Sequence, residues 1–335
     1  MRILLRSSWP VVALLLFAPS IPELLTGSTP VTEAVYSPLY FLFAFAGIVA
    51  LYGGGALLIR EFTVYFHKGW ATVLLLGAAY GIGEEGFAVH TFFESSGPPV
   101  DALGTYGHAF GVNWLWALGL AIFHATYSIA LPILLVGLFY PAVRNVRWLD
   151  RGAVGVTAVA YLFIVVLFSF VVGHGPTPTN FALFLGISFL LIALAGWVPR
   201  DLLAPRVGPA RTRPWVIALA GSLPFDVWTV LLILSSHPVI SAWGAGALTV
   251  LVGLLALGVV LRYAGSEHSE WTKFYLASGM LTVLFVWDVI VEFSVPGILV
   301  VTAVFVYLLY RLRRKLLLRD AVPPSGAAGA ATPLS

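Results

Sequence analysis

Residues 154–172 read VGVTAVAYLFIVVLFSFVV, nineteen positions without one charged side chain. A helix rises 1.5 Å per residue and needs about 20 apolar residues to cross roughly 30 Å of hydrocarbon. Val154–Val172 is therefore a candidate membrane span, and the same window moved outward in both directions finds nine more. They are Pro10–Leu25, Pro38–Ile59, Trp70–Phe93, Val112–Tyr140, Phe181–Val198, Trp215–Leu234, Val239–Leu261, Phe274–Phe293 and Ile298–Tyr310. The first is interrupted by Pro19 and Pro22, and the last is short. The composition of all 335 residues agrees: 60% hydrophobic, 10% charged, mean hydropathy +0.96. A water-soluble domain clothes its surface with about 25% charged residues. The expectation is an all-α, polytopic transmembrane helix bundle of about ten spans, with the lipid bilayer as its main partner.

The placement of charge says more than its sum. The 18 Lys+Arg barely exceed the 15 Asp+Glu, so nothing suggests nucleic-acid binding. Arg2 and Arg6 precede the first span; Arg60 and Lys68 follow the second; Arg144, Arg147 and Arg151 follow the fourth. Arg200, Arg206, Arg211 and Arg213 follow the sixth, Arg262 and Lys273 the eighth, and Arg311, Arg313, Arg314, Lys315 and Arg319 the last. These alternate loops hold every basic residue. Basic residues are retained on the cytoplasmic side of short loops, which predicts an even number of spans with both termini cytoplasmic, in the plasma membrane. Trp70, Trp114, Trp116, Trp197, Trp215 and Trp243 fall near the predicted interfaces, as an aromatic belt would.

Domain organisation is simple: residues 1–319 form one transmembrane helical domain, and 320–335, rich in Pro, Gly and Ala, form a disordered cytoplasmic tail. Arg2 and Arg6 before the apolar run Val11–Phe17 resemble a signal peptide. No small-x-small cleavage site follows, and Pro19-Ser20-Ile21-Pro22-Glu23 resembles a break in a membrane helix, so an uncleaved first span is expected. Glu94–Gly111, the longest polar connection, should be a loop or lid. Two five-helix halves would be inverted repeats, but no matching polar or Gly/Pro positions support them. The absence of Cys removes disulfides, thiolate catalysis and Cys-ligated metals.

Against this apolar background a few side chains stand out. Glu84, Glu85 and His90 lie in the third predicted span, His124 in the fourth, Asp226 in the seventh, and Asp288 and Glu292 in the ninth. An acid at mid-bilayer costs about 2.5–3.5 kcal/mol on insertion scales, and such residues are usually functional. Every Lys and Arg is assigned to the cytoplasmic side, so these acids have no basic neighbour at their depth except His. They must be protonated, bind a cation or metal, or line a water-filled cavity. Keeping a Glu neutral at pH 7 costs about 3.7 kcal/mol, comparable with burying it charged. Adjacent carboxylates are costly to ionise together, and a pair sharing one proton suits acid/base work, proton relay or binding of a hard cation.

Spacing adds packing information. Gly77 and Gly81 form a small-xxx-small step that lets a second helix approach closely. Glu85 lies four residues beyond Gly81 and shares that face, while Glu84 stacks above Tyr80. His124 shares a stripe with Tyr127 and Ser128. Asp226, one turn from Ser222 and preceded by Pro224, marks a helix irregularity. Asp226, Asp288 and Glu292 together are a candidate ion or proton site, with Glu292 near the outer rim. His90, His108 and His174 lie toward the outer face without an evident role, and Glu61 should pair locally with Arg60.

Glu84-Glu85 in one membrane helix, followed about forty residues later by His124 in the next, resembles the CPBP family of CAAX prenyl proteases and bacteriocin-processing enzymes. Those intramembrane peptidases carry EExxxR, then FxxxH, then HxxxN. Here Val89 occupies the Arg position, Leu120 the Phe position, and no HxxxN occurs in the later spans. The resemblance covers about sixty residues. It implies that Glu84 activates a water, with Glu85 and His124 assisting, for hydrolysis of a membrane peptide or a small-molecule substrate. It leaves any cofactor or metal unidentified. Two further readings are a proton- or cation-coupled transporter using Glu84, Glu85, Asp226 and Asp288, and an accessory subunit whose acids pair helices.

Overall fold

A computed structural model describes residues 2–94, 105–173, 175–204, 213–234, 239–263 and 269–321. The described residues are almost wholly helical. Helix α1 (Arg2–Pro19) runs into a π-helical turn, Ser20–Leu24. Helix α2 is built from Pro38–Ile48, a π-turn at Val49–Gly53, and Gly54–Tyr65. Helix α3 comprises Trp70–Ile82 and the π-turn Gly83–Ala88. Helix α4 comprises Trp114–Phe123, the π-turn His124–Ala130, and Leu131–Phe139. Then follow α5 (Arg151–Val172), α6 (Pro178–Trp197), α7 (Pro214–Ile233), α8 (Ala242–Tyr263), α9 (Ser269–Val291) and α10 (Ile298–Asp320). The strands are two residues each, β1 (His108–Ala109) and β2 (Val112–Asn113), paired antiparallel in the loop ahead of α4.

Seven of these helices (α2 and α4 to α9) are long and apolar enough to cross a bilayer, which makes this a multi-pass helical membrane protein. The other three coincide with the first, third and tenth stretches expected from sequence. In α1 the apolar part is only Ser8–Leu24, α3 carries two glutamates, and the second half of α10 is strongly basic. Caps set several of the starts. Asn113 accepts from the Trp116 N–H at 3.0 Å to open α4, Asp150 from Ala153 at 2.8 Å to open α5, and Thr177 from Asn180 at 3.2 Å to open α6.

Helix α4 is central: 67% of its apolar window is buried, against 6% for α5. Exposed Val156, Val159, Phe163 and Phe170 give α5 a face suited only to lipid. The α3–α4 contact is tight for the reason the sequence indicates. A Cβ on Gly77 would lie 2.7 Å from the Ala125 Cα, and one on Gly81 would lie 2.9 Å from the His124 Cβ. Only glycine lets the two backbones come this close.

The two ends of the bundle differ in charge. At one end Arg60 pairs with Glu61, stacks on Trp148 and donates to the Arg144 carbonyl at 3.0 Å. Nearby Lys68 donates to the Val198 carbonyl at 3.1 Å, Arg144 pairs with Glu270, and Lys315 donates to the Phe139 carbonyl at 2.6 Å. At the other end Tyr106 bonds the Ile240 carbonyl at 2.8 Å, Asn180 bonds the Phe110 carbonyl at 3.2 Å, and Gly27 packs on Val295. The described basic side chains with partners all belong to the first end, as alternation of the loops predicts. Of the expected aromatic belt, Trp197, Trp215 and Trp243 are exposed, whereas Trp116 is buried. Its depth along the sequence is that of an interface residue, but it sits on the face of α4 turned toward Trp228 of α7, 5.7 Å away. The tail beyond residue 321, Arg206, Arg211, His174 and most of the 94–111 loop lie outside the described residues.

Candidate functional site

Four π-helical turns, one in each of α1 to α4, supply the polar side chains at the centre of this bundle: Glu23, Tyr52, the Glu84/Glu85 pair, and His124 with Ser128. A π-turn inserts one residue into the i→i+4 ladder, leaves a backbone group without its usual partner and re-aims side chains, which is why such turns cluster at functional sites. In α3 the widened turn lets two successive carboxylates reach the same imidazole, although successive residues of a regular helix point about 100° apart.

His124 lies between the pair. Its Nε2 is 2.9 Å from Glu85 Oε1 and its Nδ1 is 3.2 Å from Glu84 Oε2. Nδ1 also lies 2.9 Å from Ser128 Oγ. All three residues are buried, His124 at 2%, Glu84 at 3% and Glu85 at 8% exposure. Among the described residues no lysine or arginine pairs with them. Polar contacts extend outward on both sides. The Thr91 hydroxyl donates to Glu85 Oε2, and the Trp116 indole N–H donates to Thr91 Oγ1 at 3.2 Å. The indole N–H can only donate, so it occupies one lone pair of Thr91 Oγ1 and leaves the Thr91 hydroxyl hydrogen for Glu85. On the other side Tyr52 bridges Glu84 to Glu23, bonding Glu84 Oε1 and lying 2.6 Å from Glu23 Oε1, while Thr29 donates to Glu23 Oε2 at 2.7 Å. Glu84 Oε2 and the Tyr80 hydroxyl are buried without an aligned hydrogen-bond partner.

Sequence reasoning singled out Glu84, Glu85 and His124, and the fold brings all three together. It missed Glu23 and Tyr52. Glu23 follows Pro19 and Pro22, so it looked like part of a helix break; an acid inside an apolar stretch was the signal. Tyr52 precedes Gly53-Gly54-Gly55 and had no distinguishing signal. One oxygen of each glutamate and a ring nitrogen lie within 4.8 Å of one another, a spacing that admits a metal ion, and a carboxylate–imidazole set suits zinc or another first-row metal. The two glutamates lie against different ring nitrogens of the imidazole.

The remaining acids lie elsewhere. Asp226 is half-buried on α7 beside Tyr127. Asp288 of α9 is buried and accepts from Thr302 of α10, with its Oδ1 unpartnered. Glu292 accepts the N–H groups of Gly297 and Leu299 at 2.9 and 3.0 Å, capping α10. None shares a hydrogen bond or ion pair with Glu84, Glu85 or His124. Thr302→Val should therefore lower stability by about 1–3 kcal/mol, because it strips a buried carboxyl of the one side-chain donor it has among the described residues, and should leave any activity of the central site unchanged. Unfolding in detergent, run beside an activity assay, checks both halves. His90 is buried and lies 3.2 Å from Ser169 Oγ. No family model, curated protein or solved structure matches the chain.

Proposed function

We propose that this chain is an intramembrane hydrolase of the CPBP type, with ten spans, both termini cytoplasmic and its site held in the outer half of the plasma membrane. The observation that carries the reading is the placement of two adjacent glutamates on the two nitrogens of one buried histidine. Glu84, with one oxygen lacking an aligned donor, is the base: it takes a proton from water as the oxygen attacks the carbonyl carbon of a membrane-embedded peptide bond. His124, oriented by Glu85, stabilises the charge that develops on the carbonyl oxygen. The proton held by Glu84 then goes to the leaving nitrogen as the C–N bond breaks, giving a carboxylic acid and an amine. Burial of the site excludes bulk water and strengthens each of these interactions.

Glu84→Gln and Glu85→Gln should each lower cleavage of a transmembrane peptide by about 10²–10⁴-fold, the range for a general acid or base. The assay uses purified protein in micelles and product detection by mass. Retained cleavage in both variants removes the reading. A proton-coupled transporter is the second reading, favoured by the run of polar contacts Glu23–Tyr52–Glu84–His124–Glu85 across four helices, hydrogen-bonded except for the 3.2 Å ion-pair contact of Glu84 with His124. It predicts that the same two variants alter proton-dependent uptake in vesicles while peptide cleavage is absent in every form.

A further inference from the structure

Tyr52 is 2% exposed and its hydroxyl lies between two carboxyl groups, bonded to Glu84 Oε1 and 2.6 Å from Glu23 Oε1. A phenol has one proton to give and lone pairs that accept. It can donate to one of these carboxyls only; to bond the other it must accept, and a carboxyl that donates is a protonated one. The second oxygen of Glu23 is taken by the Thr29 hydroxyl at 2.7 Å, leaving Oε1 as the atom that faces Tyr52. We infer that Glu23, Tyr52 and Glu84 form a relay that holds one proton between two carboxyls, and that Glu23 is a positioning residue which stores the proton Glu84 must be free of when it acts as base.

The transfer balances without any other reactant. The Glu23 carboxyl passes its proton to the Tyr52 oxygen while the Tyr52 O–H passes its own to Glu84. Tyr52 is unchanged, Glu23 becomes a carboxylate and Glu84 a carboxylic acid. The reverse step returns Glu84 to its basic form. The surroundings suit this exchange. Glu85 and His124 face Glu84 from α3 and α4, and Tyr80 of α3 contributes a buried hydroxyl beside Glu84. Tyr161 of α5 closes the side, its ring 6.0 Å from that of Tyr80. No lysine or arginine among the described residues forms an ion pair with any of these groups, so two ionised carboxyls at Glu23 and Glu84, with Glu85 as a third, would compete for the single imidazole of His124 as counter-charge. One shared proton removes that conflict.

The role of Glu23 rests on the reading of Glu84 as base; the shared proton itself does not. Two measurements keep them apart. Infrared difference spectra of the purified full chain at neutral pH should show a protonated-carboxyl stretch that is lost in Glu23→Gln and equally in Glu84→Gln, because either carboxyl alone ionises and accepts the Tyr52 O–H as a hydrogen bond. Tyr52→Phe, a second variant that keeps ring volume, should shift the band by severing the bridge. Survival of the band unshifted in all three overturns the relay. In the cleavage assay Glu23→Gln should lower the rate about tenfold and remove one limb of the pH–rate profile, with Tyr52→Phe doing the same and the double variant no worse than either. A uniform loss with the profile's shape intact overturns the positioning role. If cleavage persists in Glu84→Gln while the band behaves as expected, the hydrolase reading fails and the relay stands.

Discussion

His124→Leu should lower the stability of the folded protein by about 3–5 kcal/mol, the size of loss seen when one partner of a buried ionic pair is removed. Among the described residues the His124 imidazole is the one basic side chain that pairs with Glu84 and Glu85, at 3.2 and 2.9 Å, and both acids are almost fully buried. Leucine fills much of the same volume, so the loss comes from uncompensated carboxyls more than from a cavity. The separation is testable: adding Glu84→Gln and Glu85→Gln to the leucine variant removes the charges and should restore most of the loss. Reversible unfolding in mixed micelles measures both. A loss for His124→Leu no larger than the ~1 kcal/mol of an ordinary hydrogen bond would mean that Thr91 and Tyr52 satisfy the acids without the histidine. Failure of the triple variant to recover would move the cause from charge to packing.

How much of this was legible in the sequence follows from what kind of information each residue carries. Hydropathy located ten helical stretches, because a lipid-facing helix such as α5 must be apolar whatever it packs on, but it missed the polar ends of α1, which begins at Arg2, and of α10, which runs to Asp320. The alternation of basic residues agreed with the contacts that gather Arg60, Lys68, Arg144 and Lys315 at one end. Adjacent glutamates and a histidine one helix later were visible because nothing cheap explains them in oil. Lateral position was not visible. Glu84, Asp226 and Asp288 all stand out alike as acids in apolar stretches, yet Glu84 lies against His124, while Asp288 ties α9 to α10. Nor were the π-turns. No propensity marks Val49–Gly53 or His124–Ala130, and without them Tyr52 is one more membrane tyrosine and Glu23 a helix-end acid. The site is made by backbone irregularity in four neighbouring helices, a property of their packing and not of any one segment's composition.

Gly81→Ala should destabilise the protein and disable the site together, whereas Gly186→Ala should do neither. The two glycines are chemically identical and both lie in membrane helices, so intrinsic propensity favours alanine by about 1 kcal/mol at each. Their surroundings reverse the sign at one of them. A Cβ on Gly81 would lie 2.9 Å from the His124 Cβ and 3.3 Å from the Ala121 Cα, so α3 and α4 must separate. A Cβ on Gly186 meets nothing within 4 Å, since that face of α6 looks onto lipid. Overpacking of this kind costs about 1–3 kcal/mol, and it acts on the contact that sets the distance from His124 to both glutamates. Hydrogen bonds weaken steeply once that distance opens by a few tenths of an ångström, so loss of function should exceed what the fall in stability explains. Unfolding and cleavage measured on Gly81→Ala and Gly186→Ala in parallel give the comparison. Equal behaviour of the two would show that the close approach of α3 to α4 is not what builds the centre.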